Sequence, residues 1–327
     1  MCRKIQHVAP FLRREEIKVL GTVLKRLAQG IFVTFCVIFI SFVILRMIPG
    51  DPAKVMAPTA TEEQQQLIRD SMGLDKSIPE QFKMYMENLV HGDLGESYFK
   101  SDTVLNVMKQ ATPLSLILLV SSVLVSILLS LILGTVAGMN GNKWEDRLIS
   151  SIAVLFQSMP NYWVSSVLII IFSVKLGLLP SMDYSGPASC VLPTVALALP
   201  LTAVLTKVVR SSLIDSYSQE FVKVAYARGI SNTAIYFKYA LRNSLIPMLI
   251  SLGTQLGFLV GSIVVVEYVF NFPGIGYTVL NAILRRDYNL VQGIIILFSV
   301  FFIVLNIVID LSSIRLDPRM RKAQGGL

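Results

Sequence analysis

Charge is scarce in this sequence. Only 15% of its 327 residues are Asp, Glu, Lys or Arg, against 54% hydrophobic, and mean hydropathy is +0.64. A soluble domain carries about a quarter charged residues to solvate its surface, so a soluble fold is excluded. Cysteine and histidine are scarcer still. Cys2, Cys36 and Cys190 show no spacing of a disulfide framework or zinc site, and His7 and His91 are isolated. A metal site built from this chain is therefore not expected. No Gly-Lys dipeptide occurs, which rules out a P-loop and with it unaided ATP hydrolysis.

Ionisable residues are also missing from the interiors of the long apolar runs. Arg46, Lys175, Lys207, Glu267 and Asp310 fall at or near the ends of those runs, where side chains can reach an interface. A proton-coupled transporter needs a carboxylate or imidazole at membrane depth. An intramembrane protease needs paired Asp residues, an H-E-x-x-H helix or a Ser/His pair. Neither set is present, so no catalytic residue is assigned. A multi-span protein without either device is a passive pore or draws energy from a partner.

What the sequence does have is six apolar stretches near the ~20 residues needed to cross a bilayer. They cover about 27–48, 113–138, 148–174, 190–209, 245–267 and 289–311. The expected fold is all-α and integral to the membrane, with six transmembrane helices. Residues 1–26 form a polar, basic leading segment, 27–48 the first span, 49–112 an outer lobe, 113–312 a five-helix core and 313–327 a tail. The first apolar run is too long for the h-region of a cleavable signal, about 7–15 residues, so it reads as a retained helix. Pro160 and Pro200 are expected inside continuous spans, where neighbouring helices can satisfy the freed backbone groups.

The net charge of +8 follows the positive-inside pattern rather than a nucleic-acid-binding face. With the N-terminus inside, segments 1–26, 139–147, 207–243 and 313–327 carry 19 Lys and Arg. The opposite segments, 50–110, 177–189 and 269–288, carry 8. Both termini are therefore expected in the cytoplasm. In the outer lobe, Ile78-Pro79-Glu80 reads as a helix start with proline in the first turn, and Gly92-Asp93-Leu94-Gly95 as a turn.

The inner loop 213–243 is where a mechanism is expected. Ser216-Tyr217-Ser218-Gln219 has the capping-box form, predicting a helix from there through Arg228 that stops at Gly229. Ser231 can cap a second helix leading into the fifth span. Ala225 and Gly229, four apart, are expected on one face where a partner's surface can approach the backbone, flanked by Lys223 and Arg228. From pattern alone, a docking element and an ordinary amphipathic helix on the membrane surface fit equally well.

The segment Glu220-Phe221-Val222-Lys223-Val224-Ala225-Tyr226-Ala227-Arg228-Gly229-Ile230-Ser231, followed by Ala240 to Pro247, resembles the cytoplasmic "EAA" loop of ABC importer permeases. Lys223 and Val224 replace the motif's Glu-Ala, and the Gly-to-Pro separation is longer. Both departures resemble the dipeptide, oligopeptide and nickel branch. Further pieces in the order of that branch are Ile48-Pro49-Gly50-Asp51-Pro52, Gly73-Leu74-Asp75-Lys76, Gly92-Asp93-Leu94-Gly95, Ser158-Met159-Pro160-Asn161-Tyr162-Trp163 and Leu176-Gly177-Leu178-Leu179-Pro180. Phe270-Asn271-Phe272-Pro273-Gly274-Ile275-Gly276 and Leu316-Asp317-Pro318-Arg319 complete the series.

The closest likeness is to the first permease subunit of peptide importers, with the type I permease fold. The resemblance implies that Glu220, Lys223, Ala225, Tyr226, Arg228 and Gly229 couple the spans to an ATPase. It implies four partners: a second, similar permease, two cytoplasmic ATP-binding subunits that hold ATP and Mg, and an extracytoplasmic substrate-binding protein. It implies uptake of dipeptides or oligopeptides, with a nickel chelate or metallophore as alternative cargo. A stand-alone channel or secondary transporter is the alternative of a different class.

Overall fold

A computed structural model describes residues 9–56, 59–97 and 99–316. Cys2, the leading residues 1–8, the Asp310 side chain and the 317–319 part of the Leu316–Arg319 motif lie outside the described residues. The chain divides into two compact units, 1–108 with 281–327, and 109–280.

The first unit pairs the two ends of the sequence. Helix α1 (Ala9–Met47) packs along α13 (Tyr288–Leu316), and Gly30 admits the Ile303 side chain so closely that any Cβ there would overlap it. Between α1 and α5 (Val104–Met139) lies the lobe, made of α2 (Pro52–Met56), α3 (Glu62–Met72), α4 (Ile78–Val90) and a two-strand ladder, β1 (Glu96–Ser97) with β2 (Asp102–Thr103). The lobe was expected to be helical; the ladder is an addition. Local chemistry sets each boundary. Thr61 and Gln64 close a capping box on α3, Gly73 ends it at φ 61°, and Ser77 and Glu80 cap α4 around Pro79. Hydrogen bonding from Ser77 holds the Glu80 carboxyl below its ordinary pKa. Gly92 and Gly95 both adopt φ 78°, with the Gly95 amide donating to Asp93 Oδ1 at 2.8 Å.

Aromatic rings bind α4 to α1. Phe82 meets Phe35, Phe39 and Phe42 edge to face, with centroids 5.0–6.2 Å apart. Arg46 does not reach outward to an interface as expected. Its Nε donates to Gln81 Oε1 at 2.6 Å and its guanidinium lies 3.4 Å from the Phe42 ring centre. The chain leaves α1 through Gly50 at φ 114°, and Asp51 accepts from the Ala53 amide at the start of α2 while pairing with Arg69 of α3. That pairing keeps the Asp51 carboxyl below its usual pKa.

Asp287 latches the ladder to the start of α13. It is fully buried, and its carboxyl accepts from Ser97 Oγ at 2.6 Å, the Phe99 amide at 3.2 Å and the Leu290 amide at 3.2 Å. Burial raises its pKa against the opposing effect of these donors. An acid whose folded pKa lies above its unfolded value favours the folded state most when protonated. Its contribution is full below the unfolded pKa and declines as pH rises through the shifted value. Asp287→Asn is therefore expected to flatten the dependence of melting temperature on weakly acidic pH. Asp287→Ala, which strands three donors at about 1–3 kcal/mol for each one left buried, lowers the melting temperature at every pH. Thermal unfolding of the detergent-purified protein measures both.

The second unit is built on α8 (Val191–Tyr217), whose most extensive packing is with α11 (Leu241–Val269). Leu197, Leu205, Leu213, Met248, Ile263, Val266, Phe270 and Phe272 form its buried centre. On α5, Ser122, Ser126, Ser130, Gly134 and Gly138 repeat every four residues. The Ser126 hydroxyl donates to the Ala198 carbonyl at 3.1 Å, and Gly134 and Gly138 admit Val209 and Leu213. Small residues at this spacing let helices approach closely in lipid.

Among the described residues, five helices are long and apolar enough to span a membrane, with a sixth if the pair α6 (Trp144–Ser158) and α7 (Asn161–Leu168) counts as one span. A π-helical turn extends α7 to Lys175. The expectation of a continuous third span over 148–174 fails at Pro160, where the axis bends by 104°. A residue before proline is pushed out of the helical region, and Met159 accordingly sits at φ −83°, ψ 131°. Pro113, Pro200 and Pro247 stay inside unbroken helices.

Candidate functional site

The loop between α8 and α11 carries α9 (Glu220–Ala227) and the single turn α10 (Asn232–Ala234), which continues through a π-helical turn over Ile235–Ala240 into α11. The predicted start of α9 is too early. Ser216 belongs to the last turn of α8, which continues to Tyr217, and Gln219, in extended backbone at ψ 154°, precedes α9 without a side-chain cap. The end is as the glycine suggests. Gly229 adopts φ 74°, its amide donates to the Tyr226 carbonyl at 2.9 Å, and the Ile230 amide donates to the Ala225 carbonyl at 3.1 Å. This is a Schellman closure with its apolar contact, since Ile230 packs on Val222, Ala225 and Ile235. Ser231 Oγ accepts from the Ala234 amide at 3.4 Å, as its predicted capping role requires.

Ala225 and Gly229 do not share a face. The helix ends at Ala227, so the four-residue spacing no longer places Gly229 above Ala225. Ala225 is only 5% exposed and turns toward Ile235, where a larger side chain would push α9 off the loop. Gly229 is exposed, with nothing within 4 Å of where a Cβ would stand. The exposed residues of α9 and its closure are Glu220, Phe221, Lys223, Val224, Tyr226, Ala227, Arg228 and Gly229. Phe221, Val224 and Tyr226 are 38%, 51% and 44% exposed. Among the described residues, Glu220, Lys223 and Arg228 enter no ion pair. The outward face is thus mixed, with Val224 and Ala227 beside Glu220 and Lys223, while Phe221 and Tyr226 flank the buried Val222 and Ala225. Charges of both signs distinguish it from a uniformly basic lipid-binding face.

Two arrangements escaped the sequence reading. Glu267, expected to reach an interface, is fully buried. Its Oε1 accepts from Ser115 Oγ. Its Oε2 accepts from the amides of Gly276 at 2.7 Å and Tyr277 at 3.1 Å, in the first turn of α12 (Ile275–Leu284). Ser115 Oγ in turn accepts from the Ile275 amide at 2.8 Å. A carboxylate on first-turn amides is favourable. A Cβ at Gly274 would run into this carboxylate, whereas one at Gly276 would first meet the Val264 backbone, with the carboxylate beside it. The second arrangement joins α6 to α8: Asp146, 2% exposed, pairs with Arg210 and accepts from the Asn142 amide at 2.8 Å. An acid followed seven residues later by a Gly-x-Gly pair is the only sequence trace of the first. The second leaves none, because its partners lie 64 residues apart.

Comparison with known proteins agrees with this architecture. Residues 126–322 match the family described as binding-protein-dependent transport system inner membrane component, and residues 19–119 match its N-terminal companion. The glutathione transport system permease protein GsiC of Escherichia coli O6:H1 is 36% identical over 304 residues, 93% of this chain and 99% of GsiC. GsiC of Shigella dysenteriae serotype 1 is 35% identical over the same shares. Among solved structures, an amino acid ABC transporter aligns over 64% of this chain and 94% of its own, at TM-score 0.52 and 16% identity. The MetNI methionine ABC transporter in an inward-facing form aligns over 65% and 97%, at TM-score 0.57 and 15% identity. These two share the fold. With the family matched over most of its length, the chain belongs to the inner-membrane components of binding-protein-dependent transport systems and is a multi-pass ABC importer permease.

Proposed function

We propose that this permease forms half of a translocation path for short peptides and that α9 is the element through which ATP hydrolysis in partner subunits drives it. One observation carries the reading: α9 lies between the fourth and fifth spans and exposes Glu220, Lys223, Val224 and Ala227 on the side away from its small core of Val222, Ala225 and Ile235. Glu220 and Lys223 lie on that face, Arg228 and Gly229 stand exposed just past its end, Tyr226 borders it against Tyr217, and Ala225 supports it from behind. Two ATP-binding subunits, holding ATP and Mg, dock there. A second, homologous permease completes the path, and an extracytoplasmic binding protein delivers the cargo. Both termini and the α9 loop lie in the cytoplasm, as the distribution of Lys and Arg supports.

ATP binding closes the ATPase pair, α9 moves with it, and the spans alternate between outward- and inward-open states. The likeness to glutathione permeases supports a peptide, glutathione included, over a nickel chelate. In proteoliposomes containing the permease and its genomic neighbours, labelled glutathione or dipeptide is expected to accumulate only with ATP and the ATPase subunits. Accumulation of a labelled nickel chelate alone would keep the mechanism and change the cargo. Uptake by this chain without ATP would overturn the reading.

A further inference from the structure

Resting on that reading, we propose that a tyrosine clamp, Tyr217–Tyr236 with Tyr226 and Asn232, fixes α9 to the fourth and fifth spans so that they move as one body. The three contributions come from three elements. Tyr217 is the last residue of α8, Tyr226 sits on α9, and Tyr236 begins the helix that becomes α11. The rings of Tyr217 and Tyr236 stack with centroids 4.4 Å apart and planes 10° from parallel, joining the end of one span to the start of the next. Tyr226 meets Tyr217 edge to face at 6.2 Å and 90°. The hydroxyls of Tyr217 and Tyr226 meet each other and Asn232 Oδ1, and with one proton apiece they make two hydrogen bonds among the three oxygens, at least one of them to Oδ1, drawing α9 onto that stack.

Beneath the hydroxyls, Val222, Ala225 and Ile235 form a separate small core with Tyr217 and Ile230 packed against it. The backbone is shaped for this. Residues 235–240 adopt a π turn, with Ile235 and Ala240 buried at its two ends, and π turns are uncommon enough to mark positions where a side chain must be re-aimed. Eight residues of helix joined by two short turns would otherwise tilt when pushed. A stacked pair plus an edge contact converts a push on α9 into a displacement of both spans.

The clamp is a positioning device, so its loss should separate hydrolysis from transport. In the reconstituted complex, Tyr236→Leu keeps apolar volume and removes the stack. It is expected to leave ATP hydrolysis running while the amount transported per ATP falls about tenfold, the ratio that about 1.4 kcal/mol of aromatic contact represents. Tyr236→Phe keeps the stack and is expected to restore the wild-type ratio. A photo-crosslinker on Val224→Cys reports whether α9 still meets the ATPase. Crosslinking retained with an unchanged ratio in Tyr236→Leu would overturn the clamp and leave the docking reading standing. A Tyr236→Phe ratio as low as that of Tyr236→Leu would likewise overturn the stack as its basis. Absence of crosslinking in the otherwise wild-type complex would overturn the docking reading, and the clamp with it.

Discussion

Gly229→Glu abolishes ATP-driven uptake while the protein still inserts in the membrane. Two effects add at this residue. Its φ of 74° lies in the left-handed region, where a side-chain-bearing residue costs about 1–2 kcal/mol, so the closure after α9 loosens. The position is also open, with nothing within 4 Å, so glutamate meets no obstacle in its own chain and projects into whatever docks there. Asparagine separates the two effects, because it tolerates the left-handed conformation and adds no charge. Gly229→Asn should retain a substantial fraction of uptake and Gly229→Ala less, with Gly229→Glu at background. Uptake into proteoliposomes, normalised to inserted protein, measures the series. Normal uptake with the glutamate variant would sink the coupling role of α9.

The largest stability effect is expected at Glu267. Its carboxylate serves the amides of Gly276 and Tyr277 and the Ser115 hydroxyl. Glu267→Ala leaves these buried donors without an acceptor at about 1–3 kcal/mol each, enough to release α12 from α11 and α5. Glu267→Gln is expected to cost less, since its oxygen can stay on the two amides while its NH2 donates to the Ser115 hydroxyl, which can accept as well as donate. Gly274→Ala attacks the same contact from the other side by driving a methyl group into the carboxylate. The two changes should therefore be strongly non-additive: once the carboxylate is gone, the added methyl costs little. A double-mutant cycle on melting temperature in detergent tests this. Additive losses would show that Gly274 is constrained by something other than Glu267.

Most spans were legible because twenty apolar residues in a row leave few alternatives. The third was misread because the residue before Pro160 had to leave the helical region, and nothing in hydropathy distinguishes that proline from Pro200 or Pro247. The α9 loop was half legible. Gly229 announces a helix end through its own backbone freedom, whereas Ser216 and Gln219 satisfy the spacing of a capping box inside a helix that has not yet ended. Its continuation to Tyr217 is favoured by packing: Leu213 is fully buried in the core and Arg210 pairs with Asp146. The inference that Ala225 and Gly229 share a face failed because helical spacing holds only while the helix lasts. Glu267 and the tyrosine clamp depend on partners brought together by folding, and a single sequence does not display those.

The latch at Asp287 has a consequence for how the protein is made. Ser97 and the carboxyl that holds it are separated by 190 residues, and α1 packs on α13, the last helix described. Synthesis runs from the N-terminus and domains fold as units. The first helix and the lobe thus leave the ribosome long before the residues that secure them. Residues 109–280 have all their internal partners as soon as they are inserted, so the second unit can close while the first still waits. Among the described residues, the packing of α1 is thus completed only once α13 has been inserted.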